Sequence, residues 1–215
     1  MGERMTGYHA AHLTPDPARS VVWEAIADHQ AGWIPPAAHV LEIGAGYCDW
    51  INHVKGARRV AVDLWPELPR FSAPGVEPVI LDATRDLRTL GKNGFDVILA
   101  SNVLEHFLPD TAASVLDDIA VLLKPGGRFL AVQPNFRYAF REYFDDYTHR
   151  SVFTDVSLAG LLRSRGFEIE RVEPKFAPYS MQRTRVKPRP WLVRAYLRSP
   201  IKPGAGQMLV VARRG

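Results

Sequence analysis

An apolar strand that runs straight into a glycine turn, with a second strand ending in an acid close behind it, constrains this chain more than any other feature. The first is His39-Val40-Leu41-Glu42-Ile43-Gly44-Ala45-Gly46-Tyr47-Cys48-Asp49 and the second is Arg59-Val60-Ala61-Val62-Asp63. A Gly-x-Gly turn at the end of a parallel strand lets backbone N–H groups approach a ligand closely. The carboxylate after the next strand is then placed to hold the two hydroxyls of a ribose. Asp63 stands 19 residues past Gly44, close to the spacing this geometry requires. The third glycine of the dinucleotide fingerprint is missing, since Asp49 stands three places after Gly46. A nucleoside smaller than a dinucleotide therefore fits the turn better, which disfavours a nicotinamide oxidoreductase.

Four later segments extend the pattern. Val79-Ile80-Leu81-Asp82-Ala83 reads as a strand ending in an acid, and Phe95 to His106 as a strand that runs through Asn102 into Leu104-Glu105-His106. Leu122-Leu123-Lys124-Pro125-Gly126-Gly127-Arg128-Phe129-Leu130 reads as a helix end, a tight turn and a new strand. Arg165-Gly166-Phe167-Glu168 is a helix stop leading into another strand. In this order and spacing the segments resemble the class I S-adenosylmethionine (SAM) dependent methyltransferases, in particular their type-11-like branch. The resemblance covers about residues 37–173 and 206–213. It implies an α/β, Rossmann-like, doubly wound sheet of seven mostly parallel strands with helices on both faces, its last strand antiparallel at the sheet edge.

The same resemblance implies roles for individual residues. Gly44, Ala45 and Gly46 approach the methionine part and ribose of SAM, Asp63 binds the ribose hydroxyls, and Leu64 lies against the adenine. Asp82 accepts from the adenine amino group beside the Ala83 backbone, and Asn102 faces the methionine end. Glu42 is the acidic partner below the glycine turn. S-adenosylhomocysteine would be the product. Asp63 and Asp82 also suit a purely local role, capping the turns that follow them.

Two histidines are candidates for the acceptor side. His106 follows Asn102 by four residues, and its ordinary pKa suits a general base; a structural histidine is the alternative. The run Asp145-Asp146-Tyr147-Thr148-His149-Arg150 follows the fifth strand and resembles an Asp-x-Thr-His segment of type-11-like enzymes. That likeness makes His149 a candidate base or acceptor-orienting group, with Asp145 or Asp146 to orient it. The aromatics of residues 136–150 suit the wall of a site for a polar, ring-bearing acceptor, or a lid that only packs. No metal site is expected, because seven histidines are scattered and Cys48 is the one cysteine. A serine nucleophile elbow and a phosphate-cradling Gly-x-x-x-x-Gly-Lys loop are absent from the sequence.

Length and charge bound the rest. The 215 residues suit one well-buried core, and 47% hydrophobic with 23% charged residues is ordinary for a globular chain. The expected organisation is a single domain over 1–215. It comprises an N-terminal helical segment (1–36), the SAM-binding core (37–173), a basic insertion beside the acceptor site (174–205) and the final strand (206–215). The lone cysteine suits a reducing compartment, no apolar run reaches the ~20 residues of a membrane span, and a cytoplasmic location is expected. Cys48 reads as a space-filler behind the glycine turn sooner than as a reactive thiol.

Of 27 Lys and Arg residues, ten lie between Pro174 and Gly215, which has no Asp or Glu; the rest of the chain holds 17 basic against 23 acidic residues. Such a tail suits an anionic partner: a phosphate-bearing acceptor, the inner membrane face or nucleic acid. It suits equally an extension that docks on the acidic body. A nucleic-acid methyltransferase is disfavoured, because Ser101-Asn102-Val103-Leu104 stands where amino-N enzymes carry Asp/Asn-Pro-Pro-aromatic. The reading as a whole is a methyltransferase for a small-molecule or carbohydrate acceptor, lipid-linked glycans included, most naturally at oxygen. A non-catalytic SAM-binding protein is the rival from another class.

Local patterning predicts helices over 18–30, 47–54, 154–166 and 191–198, and one from Asp110 or Thr111 through Leu123. It predicts an irregular connection over Trp65–Pro78, with four prolines, and strands over 129–133, 167–172 and 207–212.

Overall fold

A computed structural model describes residues 16–179 and 188–215; Arg183, Arg185 and Lys187 of the basic tail, and the residues before Asp16, lie outside the described residues. Seven strands form one sheet: β1 His39–Ile43, β2 Arg58–Asp63, β3 Val76–Ile80, β4 Phe95–Ser101, β5 Leu123–Pro134, β6 Phe167–Pro178 and β7 Ala205–Arg214. Their order is β3-β2-β1-β4-β5-β7-β6. The pairings among β1 to β5 are parallel, while β7 runs antiparallel to both β5 and β6. The last strand is therefore antiparallel, as expected, but it lies one place in from the edge with β6 outside it. The chain winds outward from β1 to β3 and then restarts on the other side of β1 with β4. This reversal opens a crevice beyond the C-terminal ends of β1 and β4, where open α/β sheets bind their ligands.

Side-chain alternation along the strands divides the core into two layers. Leu41, Ile43, Val60, Val62, Ile98 and Ala100 face one side. There they meet α2 (Pro109–Leu122) through Val115, Leu116 and Ile119, and, beyond the single turn α3 (Phe136–Ala139), α4 (Asp155–Ser164) through Leu158 and Leu162. Val40, Ala61, Val97, Leu99, Leu130 and Val132 face the other side, against α1 (Pro17–Gln30) through Val22, Trp23 and Ile26. Both faces of a parallel sheet are thus covered, as its near-continuous apolar strands require. The cap of α4 is a full box, with Thr154 accepting from the Ser157 N–H and Ser157 accepting in return from the Thr154 N–H.

Four local expectations are corrected. Residues 47–54 are a succession of turns and not a helix. Cys48 takes φ +57°, and the Ile51 N–H turns inward to Glu42 Oε2 at 3.0 Å in place of a helical carbonyl. The strand β3 begins at Val76, inside the segment expected to be irregular; Pro78 is tolerated because β3 is an edge strand. Helix α2 starts at Pro109 with Leu108 at its cap position and no side-chain cap, since proline at the first position needs no N–H partner. The strands β5, β6 and β7 extend beyond 129–133, 167–172 and 207–212, with register shifts between β6 and β7 at Ile169/Arg171 and Glu173/Ala177.

The described part of the basic tail holds α5 (Pro190–Arg198), which packs on α1. Arg194 reaches Asp28 at 2.6 Å and Glu24 at 3.0 Å, so this charge docks on the acidic body. Among the described residues no helix is long and apolar enough to cross a membrane.

Glu173 on β6 ties these pieces together, accepting from Lys202 Nζ at 2.9 Å and lying 3.4 Å from His29 Nε2 of α1. Burial pushes its carboxyl up, but the His29 and Lys202 bonds outweigh that and hold it at about 2. A depressed folded-state pKa gives stability that is complete above the unfolded value of about 4.3 and is lost as pH falls toward the folded one. The E173Q variant is accordingly expected to be less stable than wild type at pH 7 by on the order of 1–3 kcal/mol. The gap should close between about pH 4.3 and 2. Urea unfolding at stepped pH measures this; a gap that stays constant through that window refutes it.

Candidate cofactor and acceptor site

The site is built at the C-terminal ends of the strands, and the turn after β1 is its floor. Gly44 and Ala45 donate to the Val62 carbonyl at 2.8 and 3.0 Å, which folds the turn back over β2. Gly44 is exposed with φ +70°, and a Cβ there would overlap the Val103 side chain. Glycine is therefore required twice, by backbone conformation and by close approach. Asp63, buried at the end of β2, takes the Gly46 N–H on Oδ2 at 2.8 Å and the Trp65 N–H on Oδ1 at 2.9 Å. Each oxygen of the carboxylate thus accepts a backbone N–H, which fixes the group where the resemblance expects the ribose hydroxyls.

The other residues expected to meet the cofactor lie on or just past the ends of β1 to β4. Buried Glu42 lies below the turn and orders it through Ile51; burial pushes its carboxyl well above the ordinary range, with the Ile51 N–H acting the other way. Cys48 is fully buried, and burial helped by Glu42, Asp63 and Asp49 pushes its thiol up to about 12, so it fills space as an unreactive thiol. Leu64 is half-buried beside a cluster that sequence reading missed. In it Trp65 stacks on Phe71 with centroids 5.1 Å apart and Tyr47 meets both rings edge-on. Asp82 lies two residues past β3, beside half-buried Ala83. Its Oδ1 accepts the Thr84 N–H at 2.9 Å and the Thr84 hydroxyl at 2.6 Å, so the local capping role is real here. Asn102, at φ +52°, follows β4; its Nδ2 donates to Ser101 Oγ at 3.2 Å and its Oδ1 accepts from Gln207 of β7 at 3.3 Å.

Across the crevice, residues from the loops after β4 and β5 converge. The rings of His106 and His149 meet edge-on with centroids 5.0 Å apart. His149 Nδ1 lies 2.6 Å from the Tyr143 carbonyl. A carbonyl can only accept, so Nδ1 carries the hydrogen and neutral His149 presents Nε2 as a bare lone pair. Burial lowers the pKa of His149, against the influence of Asp146 and the Tyr143 carbonyl. Burial, reinforced by His149, holds His106 at about 4. Both rings are therefore neutral near pH 7.

The orienting residues differ from those expected. The Tyr143 carbonyl sets the tautomer of His149, the role assigned to Asp145 or Asp146 from sequence. Asp146 acts on the other ring, through a relay: its Oδ1 accepts from Thr148 Oγ1 at 2.5 Å, and Thr148 Oγ1 lies 2.9 Å from His106 Nδ1. Sequence reasoning singled out neither Thr148 nor Glu105, whose signal was its place between Leu104 and His106. Glu105 is fully buried and its Oε1 lies 4.0 Å from His149 Nε2. Burial pushes its carboxyl up to about 8. With the Gln133 amide oriented to satisfy its neighbours, the nitrogen donates to Glu105 Oε2 and the oxygen accepts the Leu104 N–H at 3.1 Å.

A parallel sheet reversing at β1/β4, a glycine floor and an acid closing β2 together have the form of a nucleoside-binding α/β domain. A family model described as a methyltransferase domain matches residues 18–172, and the chain belongs to that family. Among solved structures it is similar to a SAM-dependent methyltransferase from Archaeoglobus fulgidus, with 18% identity over 91% of this chain and 94% of that one, TM-score 0.69. It is similar also to the 1,6-didemethyltoxoflavin-N1-methyltransferase of Burkholderia thailandensis, solved with S-adenosylhomocysteine. There the identity is 24% over 99% of this chain and 85% of that one, with TM-score 0.63. The ubiquinone biosynthesis O-methyltransferase of Xylella fastidiosa is 38% identical over 99 residues, 42% of this chain. The match spans 39% of that relative's own length. S-adenosylmethionine is the cofactor of this fold, and the glycine floor with the Asp63 carboxylate fits it.

Asp63 carries the first expectation for the site. Removing it leaves two buried backbone donors unsatisfied as well as the ribose unmatched, so Asp63→Ala is expected to weaken SAM binding by about 100-fold or more, near 3 kcal/mol. Titration calorimetry checks it, and affinity within a factor of a few of wild type rejects the assignment.

Proposed function

We propose that this protein transfers the methyl group of SAM to a hydroxyl oxygen of a small-molecule or carbohydrate acceptor, lipid-linked glycans included. The sulfonium supplies the activation, so the protein's own task is to align the acceptor and to ease the loss of its proton. The observation that carries the reading is the His149 ring, locked by the Tyr143 carbonyl so that a neutral Nε2 faces inward beside Glu105 and His106. A group with that tautomer and a lowered pKa is suited to receive or relieve a hydroxyl proton near pH 7. Gly44, Ala45, Gly46, Asp63 and Leu64 hold the cofactor in this reading, with Glu42 shaping the floor beneath them. Asp82 and Ala83 border the adenine, and Asn102 stands between the cofactor and the histidines.

The acceptor wall supports a ring-bearing substrate. Phe140, Phe144 and Tyr147 are exposed on the segment after β5, and Lys175 lies 4.6 Å from the centroid of the Tyr138 ring. Apolar faces interleaved with cations suit a glycan or aromatic ring bearing anionic groups. The basic residues of the tail other than Arg194, Lys202 and Arg213, which Asp28 and Glu24, Glu173 and Glu168 match, would meet a phosphate-bearing carrier or the inner membrane face.

The test is transfer of a tritiated methyl group from SAM into fractionated host extract, followed by base treatment to separate esters from ethers and amines. The His149→Ala variant is expected to lower kcat by about 10²–10⁴-fold while SAM affinity stays within a factor of a few. Unchanged turnover in that variant removes His149 from the reaction; label recovered in nucleic acid overturns the acceptor class.

A further inference from the structure

Glu105, His106 and His149 come from two loops 44 residues apart in the chain, yet one ligand atom of each lies within 4.8 Å of the others. Their surroundings fix two of them. His149 Nδ1 is committed to the Tyr143 carbonyl at 2.6 Å, which leaves Nε2 pointing at Glu105 Oε1, 4.0 Å away. Glu105 Oε2 is engaged by the Gln133 amide, while Oε1, fully buried, has no hydrogen-bond partner. A buried acceptor without a partner costs about 1–3 kcal/mol, and a native fold keeps one for a reason.

A separation of 4.0 Å is too long for a hydrogen bond. It matches two ligands on one ion, because bonds of about 2.1 Å place ligand atoms roughly 3–4.2 Å apart. Outer interactions of the kind that orient metal ligands are also present. A backbone carbonyl holds the far nitrogen of His149, and the Asp146–Thr148 relay reaches Nδ1 of His106.

We propose that Glu105, His106 and His149 form a binding site for a divalent first-row transition-metal ion. Two imidazoles and one carboxylate select ions such as Zn²⁺, Co²⁺, Fe²⁺ or Mn²⁺ over Mg²⁺ and Ca²⁺, which prefer all-oxygen shells. Three protein ligands leave positions open to water or to an acceptor oxygen on the half-buried His106 side, the arrangement of catalytic and not structural sites. An acceptor hydroxyl bound there would be acidified. The site deepens the proposed function and rests on it only for this last role: His149 would act on the acceptor through the ion, with Nε2 as a ligand.

Untagged full-length protein, stripped with chelator, is titrated with Co²⁺ and followed by calorimetry and by visible d–d absorption. A single equivalent is expected to bind with visible bands, with Glu105→Gln and His149→Ala each weakening affinity by more than about 100-fold. Thr148→Val, which keeps all three ligands and removes the link to His106 Nδ1, is expected to weaken it by about tenfold. Absence of Co²⁺ binding to the wild-type protein overturns the proposal, as does binding that is unchanged in both ligand variants. SAM affinity is measured on the same stripped samples. Retained SAM binding without Co²⁺ binding rejects the ion alone, whereas loss of SAM binding by stripped wild type counts against the cofactor reading.

Discussion

One carboxylate holds the working end of this sheet in shape. Asp63 closes β2 and receives a backbone N–H from the turn after β1 and another from the turn after β2. It thereby locks two adjacent strand ends to each other across the glycine floor. The bonds from Gly44 and Ala45 to the Val62 carbonyl act in the same sense. Glu42 completes the arrangement by drawing the Ile51 N–H inward. Three carboxylates, Glu42, Asp49 and Asp63, thus crowd one small region, and the Arg19 guanidinium of α1 balances one of them at 2.8 Å from Asp49. Helix α1 is in this sense part of the floor. It is also pinned there by Ser20 to His53 and by the Trp50 indole to Gln30.

What could be read from sequence follows from the range of the interactions involved. The strands β1, β2 and β4 are legible because a buried parallel strand is mostly apolar, and the glycine turn after β1, the acid that ends β2 and the polar turn after β4 mark where each stops. Helix α2 was legible because Ala112, Val115, Leu116, Ile119 and Leu122 keep helical spacing and are all buried. The turns over 47–54 were not. They depend on a side chain nine residues upstream, and residue periodicity carries no record of that bond. Patterning shortens strand β3, because proline argues against a strand unless it lies at an edge, and edge position is a property of the finished sheet. The place of β7 between β5 and β6 is equally nonlocal.

The two halves of the site differ in the same way. The glycine floor is made from strand ends and the backbone, so motif spacing locates Gly44, Gly46 and Asp63, and the fold brings them together. The histidine cluster is made from side chains on separate loops. His106 and His149 were each visible as candidates, but their contact and the part played by Glu105 arise only when the loop after β5 folds back over β4. The backbone records that return, with the N–H groups of Arg150 and Ser151 both donating to the Glu105 carbonyl at 2.8 and 3.0 Å. Chain spacing, on which the expectation of no metal site rests, carries no record of side chains brought together in this manner.

Tyr143 explains how such a loop can be exact at its base and open at its rim. Its ring is fully buried, packed edge-on against Phe136, Phe144 and His149. Its hydroxyl donates to the Ser151 carbonyl at 2.7 Å, and its own carbonyl receives His149 Nδ1 and, at 3.4 Å, the Tyr179 hydroxyl. One residue therefore sets the tautomer of His149, joins the two ends of the loop and contacts the end of β6. Phe140 and Tyr147, by contrast, stand exposed on the same loop. The buried base of the loop is thus fixed by hydrogen bonds while its rim is not, and the motifs that mark the strand ends carry no record of either.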